Sequence, residues 1–267
     1  MKPLRRVLLL LLALGLLAAA AYVSARCIEP RRLHIETVRV QNAGLPAPVR
    51  IAVFSDVHLG HGVETEDLRR LVRTVNEQRA DAVLFLGDFY ENYEQYGGDP
   101  EADAAALRGI TAPVRLAVWG NHDMGGGAFR IYPEVMEKGG FTLLENESFA
   151  ARQLGICFVG AADTIFGRPD VAELWSEELY NILLVHEPDY ALEVSGAALQ
   201  LSGHSHGGQV YLPLIGAPHV PLGARHYLRG LYHKEDGGLV YVTRGIGMSI
   251  LPYRFGSVPE LTVIEVE

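Results

Sequence analysis

Beyond its first twenty-five positions the chain alternates short apolar runs with polar stretches. The runs are Val49 to Phe54, Ala82 to Leu86, Val114 to Trp119, Ile156 to Val159, Ile182 to Val185 and Leu199 to Leu201. They are rich in Val, Ile and Leu and bounded by Gly, Pro, Asp or His, which predicts short strands buried on both faces. Between the first of them, Glu66 to Asn76 places Leu68, Leu71, Val72 and Val75 on one helical face, and Glu101 to Leu107 is alanine-rich. After about position 205 the pattern shifts to strand and turn, with strands expected over Gln209–Leu212, Tyr227–Tyr232, Gly238–Val242 and Leu261–Val266. The expected plan is an α/β layered domain over 49–267, alternating at first and more antiparallel in its second half.

The N-terminal stretch obeys a different pattern. Lys2, Arg5 and Arg6 precede an uncharged apolar run from Val7 to Val23. Seventeen residues at about 1.5 Å each reach about 25 Å, near the lower limit for spanning a bilayer. The run reads either as a signal segment cut after Val23-Ser24-Ala25 or as an uncut anchor, and its length favours the anchor. The expected organisation is a membrane segment over 1–25, a juxtamembrane segment over 26–48, and a body held at a bacterial inner membrane by a single helix. Basic residues flank the run on both sides, so the side on which the body lies stays open.

Composition adds two constraints. Two cysteines, Cys27 and Cys157, do not make a disulfide framework. The net charge of −9 hides an asymmetry, because seven of the 23 basic residues lie in the first forty positions. The acidic remainder does not attract DNA or RNA, so nucleic acid is not an expected partner. Such a body can still act on an anionic substrate where bound cations offset its own charge.

Candidate chemistry gathers at the strand ends. Phe54 is followed by Ser55-Asp56-Val57-His58, Leu86 by Gly87-Asp88, and Trp119 by Gly120-Asn121-His122-Asp123. Val185 is followed by His186, and Leu201 is followed closely by Gly203-His204-Ser205-His206. An Asp after a strand is often only a helix cap, and a lone His-x-His is weak evidence. Five strand ends carrying such groups point instead to one site, since ligands collect outside the carboxyl ends of parallel strands. Two carboxylates, an amide and several imidazoles exceed what one ion needs and suit two divalent metals. Nitrogen and oxygen donors without thiolate favour Mn, Fe or Zn over Ca.

The ordered set Asp56-x-His58, Gly87-Asp88, Gly120-Asn121-His122-Asp123, His186 and Gly203-His204-Ser205-His206 resembles the calcineurin-like metallophosphoesterase superfamily. The resemblance implies a four-layer α/β/β/α sandwich and a dinuclear centre. It implies that Asp56, His58, Asp88 and His206 hold one metal, that Asp88 bridges to a second, and that Asn121, His186 and His204 complete the second. It further implies that His122 faces the phosphate and that Asp123 orients His122. Ser205 stands where the family often has Thr, between the two ligands.

The flanks narrow the resemblance. The leader, Glu29-Pro30, His186-Glu187-Pro188, Gly207-Gly208-Gln209-Val210, Thr243-Arg244-Gly245-Ile246-Gly247 and Pro259-Glu260 are similar to a membrane-tethered bacterial branch, the YkuE/YaeI-like phosphoesterases. That branch is similar to the UDP-2,3-diacylglucosamine pyrophosphatases of lipid A biosynthesis. The implied function is hydrolysis of a phosphoester or pyrophosphate bond at a membrane, with manganese among the implied metals. The alternatives are an exported phosphodiesterase or phosphatase of broad specificity acting on soluble or cell-wall phosphates, and a non-catalytic metal-binding scaffold. Outside the ligand set, Arg244 and Arg254 are candidates to pair with phosphate, His61 is a weaker one, and the apolar stretch Leu212 to Leu222 is read as a lip or a packed loop.

Overall fold

The computed structural model describes residues 2–41 and 44–267; residues 1, 42 and 43 lie outside the description. An exposed helix, α1 (Lys2–Val23), runs on through a π-turn (Ser24–Ile28) and a 3-10 turn (Glu29–Arg31). As one continuous helical stretch it is long and apolar enough to cross a membrane.

Two six-stranded sheets follow. Sheet A joins β1 (His34–Val40), β2 (Val49–Phe54), β3 (Ala82–Phe85), β4 (Val114–Ala117), β5 (Thr142–Leu143) and β12 (Glu260–Val266) in the order β1-β12-β2-β3-β4-β5. Sheet B joins β6 (Glu147–Ala151), β7 (Ile156–Gly160), β8 (Tyr180–Leu184), β9 (Leu199–Ser202), β10 (Gly230–His233) and β11 (Leu239–Val242) in the order β10-β11-β9-β8-β7-β6. All six apolar runs of the sequence are strands. The segment 26–48 also carries β1, which pairs in parallel with β12 from His34↔Glu260 to Val40↔Val266.

Apolar side chains fill three layers between and around the sheets. Val53, Leu84 and Leu116 of sheet A meet Phe158, Leu184 and Leu201 of sheet B in the central core. On the far side of sheet A, Phe54 and Phe85 pack beneath α2 (Thr65–Glu77), α3 (Pro100–Leu107) and α5 (Tyr132–Lys138). Leu68, Leu71, Val72 and Val75 are the buried face of α2, as their spacing requires. Outside sheet B, Val159, Leu183 and Val185 are covered by a thinner layer that includes Trp175 and Tyr190, the latter in a 3-10 turn (Pro188–Leu192). The result is the α/β/β/α sandwich, with a short fourth layer.

The second half differs from the expectation in two ways. Sheet B is parallel through its centre, from β7 through β8 and β9 to β11, and antiparallel only at its edge strands β6 and β10. Parallel pairing needs crossovers of a dozen or more residues, and the stretches 185–198 and 203–238 are long enough. Gln209–Leu212 is no strand either: Val210 and Leu212 make isolated bridges, to Phe255 and Gly216. Both changes leave the carboxyl ends of β2, β3, β4, β8 and β9 at one edge of the sandwich.

Candidate dinuclear metal centre

Each strand end turns sharply after its last core residue. Asp56, His58, Asp88, His204 and His206 all have positive φ, between 49° and 67°. A non-glycine residue there costs on the order of 1 kcal/mol or more, and such residues gather where function over-determines the backbone. Glycine supplies the close approaches. A side chain on Gly203 would collide with Ser55 and Asp56, and Gly87 (φ 89°) would meet the backbone of Gly120.

These turns bring the seven predicted donors together. Asp56, His58, Asp88, His186, His204 and His206 are buried, with Asn121 and His122 at the edge of the cleft above them. Two groups can each hold a cation, Asp56 with His58 and His206, and Asp88 with His186 and His204, and a third, His58 with Asp88 and His122, shares a residue with each. His58 Nε2 lies 3.1 Å from His206 Nε2, and His206 Nε2 lies 3.5 Å from Asp56 Oδ1. Asp88 Oδ2 is 3.0 Å from His186 Nε2 and 3.6 Å from His58 Nε2, which places this carboxylate between the two groups.

Hydrogen bonds on the far side of the rings fix which nitrogen faces the centre. His186 Nδ1 donates to Leu86 O (2.6 Å), His122 Nδ1 to Glu91 O (2.7 Å) and His204 Nε2 to Leu222 O (2.8 Å). Each turns the other ring nitrogen away from that carbonyl, His186 Nε2 towards Asp88 Oδ2 (3.0 Å) and His122 Nε2 towards Ser249 Oγ (3.4 Å), the kind of arrangement that orients metal-binding imidazoles. The donor set fits cations on two further grounds. Asn121 Oδ1 is buried without a hydrogen-bond partner among the described residues. Burial, reinforced by the charge of His186, lowers His204 to about 4, and burial with the charges of His58 and Arg254 holds His206 well below the ordinary range. Both imidazoles are thus kept in the neutral form that binds metal. Burial would raise Asp88, but the charge of a protonated His186, whose own pKa Asp88 raises against its burial, outweighs it and keeps the carboxylate ionised; a cation bound there would displace the His186 Nε2 proton and take over that role.

Three predicted roles do not match the geometry. The Asp123 carboxylate serves backbone, accepting from the amides of Asp88 (2.8 Å), Phe89 (2.9 Å) and Gly120 (3.1 Å), so it shapes the Asp88 turn rather than orienting His122. Burial and the charge of Asp88 push its pKa up to about 7. Arg254 is fully buried and donates to the carbonyls of Gly247, Ser257 and Arg244, behind His206 rather than in the cleft. Arg244 pairs with Glu260 in a separate depression beside Glu36 and Arg229. Neither arginine is placed to meet a phosphate at the cluster.

Glu91 is the residue the sequence did not disclose. Its carboxylate reaches His58 Nδ1 (2.6 Å) and lies 3.5 Å from His122 Nδ1, while accepting from Ile250 N–H (2.9 Å) and Ser249 Oγ (3.2 Å). It follows Phe89 and Tyr90 three places after Asp88. A charged residue right after a buried aromatic pair is the only signal, and a weak one.

A cavity of about 630 Å³ opens over the cluster. Its floor includes Asp88, Asn121, His122, His204 and His206, and its walls include Pro218, Pro221, Leu222, Ile250 and Leu251. A polar, metal-competent floor under apolar walls suits an anionic group carried on an apolar body.

The sheet order and the strand-end donors define a metallophosphoesterase, and the chain belongs to the calcineurin-like phosphoesterase family, which it matches over residues 49–208. It is 36% identical to the uncharacterized metallophosphoesterase YkuE of Bacillus subtilis, over 93% of this chain and 91% of that protein. It is 28% identical to the phosphodiesterase YaeI of Escherichia coli, over 82% of each. A dimetal phosphatase from Danio rerio shares the fold, with a TM-score of 0.50 at 12% identity over 79% of this chain and 94% of that one. The chain is a metal-dependent phosphoester hydrolase.

Proposed function

We propose that the chain hydrolyses a phosphodiester or pyrophosphate bond with two divalent cations, Mn, Fe or Zn, while anchored in a bacterial inner membrane by α1. The observation that carries this reading is the position of Asp88, within 3.6 Å of His58 in one donor group and 3.0 Å of His186 in the other. In this reading Asp56, His58 and His206 hold one cation, Asn121, His186 and His204 hold the other, and Asp88 serves both. The pair supplies neutralisation of phosphate charge and an acidified water nucleophile. The protein's own groups do the rest. His122, its Nδ1 committed to Glu91 O, presents Nε2 to the cleft and protonates the leaving oxygen. Asp123 fixes the turn that carries Asp88 by holding three amides. The apolar walls exclude bulk water and hold the substrate's apolar part.

The name of YaeI supports a diester over a monoester. The finer proposal is a lipid-linked pyrophosphate, specifically UDP-2,3-diacylglucosamine of lipid A synthesis, supported by the flanking resemblance and the apolar cleft. The test is phosphorus-detected turnover of bis(4-nitrophenyl) phosphate and UDP-2,3-diacylglucosamine by the detergent-extracted protein loaded with Mn, Fe or Zn. His206→Ala is expected to lower turnover about a thousandfold or more. Full activity in that variant would refute the site, and cleavage of the chromogenic diester alone would refute the lipid precursor.

A further inference from the structure

The mouth of the cleft carries large apolar side chains that none of the described residues covers. Leu214 is fully exposed, and Ile215, Leu222, Ile250 and Leu251 are each more than half exposed. Leu222, Ile250 and Leu251 also line the cavity, so the patch is continuous with the site. Leu214 sits at φ 67° in a turn closed by Leu212 and Gly216. That backbone conformation is uncommon for a bulky residue, and here it holds an apolar side chain outward. A contiguous exposed patch of this kind marks a surface that is covered in use.

The same segments hold the exit of α1. Arg254 N–H donates to Ala25 O (3.0 Å), Gly256 N–H donates to the Glu29 carboxylate (2.6 Å), and the rings of Tyr253 and Tyr22 lie 5.9 Å apart. Tyr22 is the penultimate residue of the apolar run, so Tyr253 stands level with the end of the span. Ile250 and Leu251 are at most three residues away, about 10 Å of chain. The turn bearing Leu214 and Ile215 is tied to this strip, because Tyr211 N–H donates to Phe255 O (2.6 Å) and Phe255 N–H to Gln209 O (2.9 Å). Arg26, Arg31 and Arg32 stand exposed just past the span, where anionic headgroups lie. Tyrosines at such a boundary are interfacial anchors.

We propose that Leu214, Ile215, Leu222, Ile250 and Leu251 seat in the headgroup–acyl boundary of the bilayer that α1 spans, so that the cleft opens onto the lipid surface. A phosphoester bearing a hydrocarbon chain then reaches the cluster from the leaflet, its chain along the apolar wall and its phosphate on the His/Asp floor. This rests on the reading of the chain as a membrane-anchored phosphoesterase. It deepens that reading by naming the surface that covers the rim and the direction of substrate entry.

The test uses the full chain, metal-loaded, reconstituted in vesicles of phosphatidylethanolamine and phosphatidylglycerol. Two probes are compared: soluble methyl 4-nitrophenyl phosphate and vesicle-embedded hexadecyl 4-nitrophenyl phosphate. The double variant Leu214→Glu/Ile215→Glu replaces side chains outside the cavity. It is expected to cut the hexadecyl ester about tenfold or more slowly and the methyl ester within about twofold of the native rate. Equal rates on both esters in native and variant protein would overturn the rim proposal and leave the phosphoesterase reading standing. A second measurement does not depend on turnover. A fluorophore on Ile215→Cys, in a Cys27→Ser background, is expected to be quenched by lipids brominated near the headgroup, whereas one on Arg73→Cys in α2 is not. An unquenched label at 215 overturns the seating, while failure of the native protein to cut either ester refutes the phosphoesterase reading alone.

Discussion

At the floor of the cleft six donor groups are buried, five of them (Asp56, His58, Asp88, His204 and His206) on left-handed backbone, and the rings of His186, His122 and His204 are aimed by hydrogen bonds to the Leu86, Glu91 and Leu222 carbonyls. At the rim, a few residues away, Leu214, Ile215, Ile250 and Leu251 stand exposed on loops without regular structure. The contrast separates two tasks. Convergence of charged and polar donors demands a rigid frame, because an uncompensated buried charge is costly and must be met from fixed positions. Reception of an apolar body demands surface, and that surface is tolerable in water only if something covers it. Left-handed backbone occurs in both regions, at Leu214 and Ile250 as well as at the donors, so what separates them is buried polar donors in the first and exposed hydrocarbon in the second.

Glu91 is where the two regions touch, and changing it tests how independent they are. Its carboxylate meets His58 on the floor and accepts from Ser249 and Ile250 on the rim. Glu91→Gln keeps the shape and removes the charge that pairs with His58. Partners of this kind are worth about 10- to 100-fold in activity or metal affinity. The expected outcome is a fall of that size in kcat and in manganese affinity, with KM for a soluble diester little changed and far-UV circular dichroism native. Unchanged kcat would show that floor and rim are coupled only by chance contact.

The smallest expected effect lies in the outer helical layer, away from both regions. Asp103 is buried on α3 and accepts from Thr65 Oγ1 (2.7 Å), Tyr96 OH (2.8 Å) and Tyr90 OH (3.2 Å). Burial raises its pKa above 3.8, although these hydrogen bonds oppose the shift. A raised carboxyl pKa means the folded state binds the proton more tightly than the unfolded state. Its contribution is therefore full below pH 3.8 and is lost as pH rises through the folded value. Urea midpoints measured from about pH 4 to about pH 6 should fall with pH more steeply in the native protein than in Asp103→Asn. Parallel curves would contradict the assignment. Turnover should be unaffected by the substitution.

The floor was legible in the sequence because each donor follows an apolar run at a strand end, so that five short motifs report one place in space. The rest was hidden for identifiable reasons. β1 (HIETVRV) carries β-branched residues, but it is mostly exposed and pairs with β12, more than 220 positions away, so that local signal did not place it in the sheet. The family resemblance implied that Asp123 orients His122, yet neighbours on a helix face different directions, and the carboxylate turns back to three amides. Arg244 and Arg254 showed their charge but not their partners: Arg244 is spent on Glu260, and Arg254 on backbone carbonyls and on His206 Nδ1 (3.3 Å). Glu91 bridges elements that only the folded chain brings together. The parallel centre of sheet B escaped for the same reason, since crossover length is visible in sequence but strand direction is not.

The central claim is that the strand-end donors hold two cations with Asp88 common to both. Equilibrium dialysis of the metal-stripped, full-length protein against manganese, compared with Asp88→Asn, measures this directly. The account predicts about two ions per native chain and at most about one in the variant, with its fold retained. One ion or none in the native chain, or two held unchanged by Asp88→Asn, would contradict it.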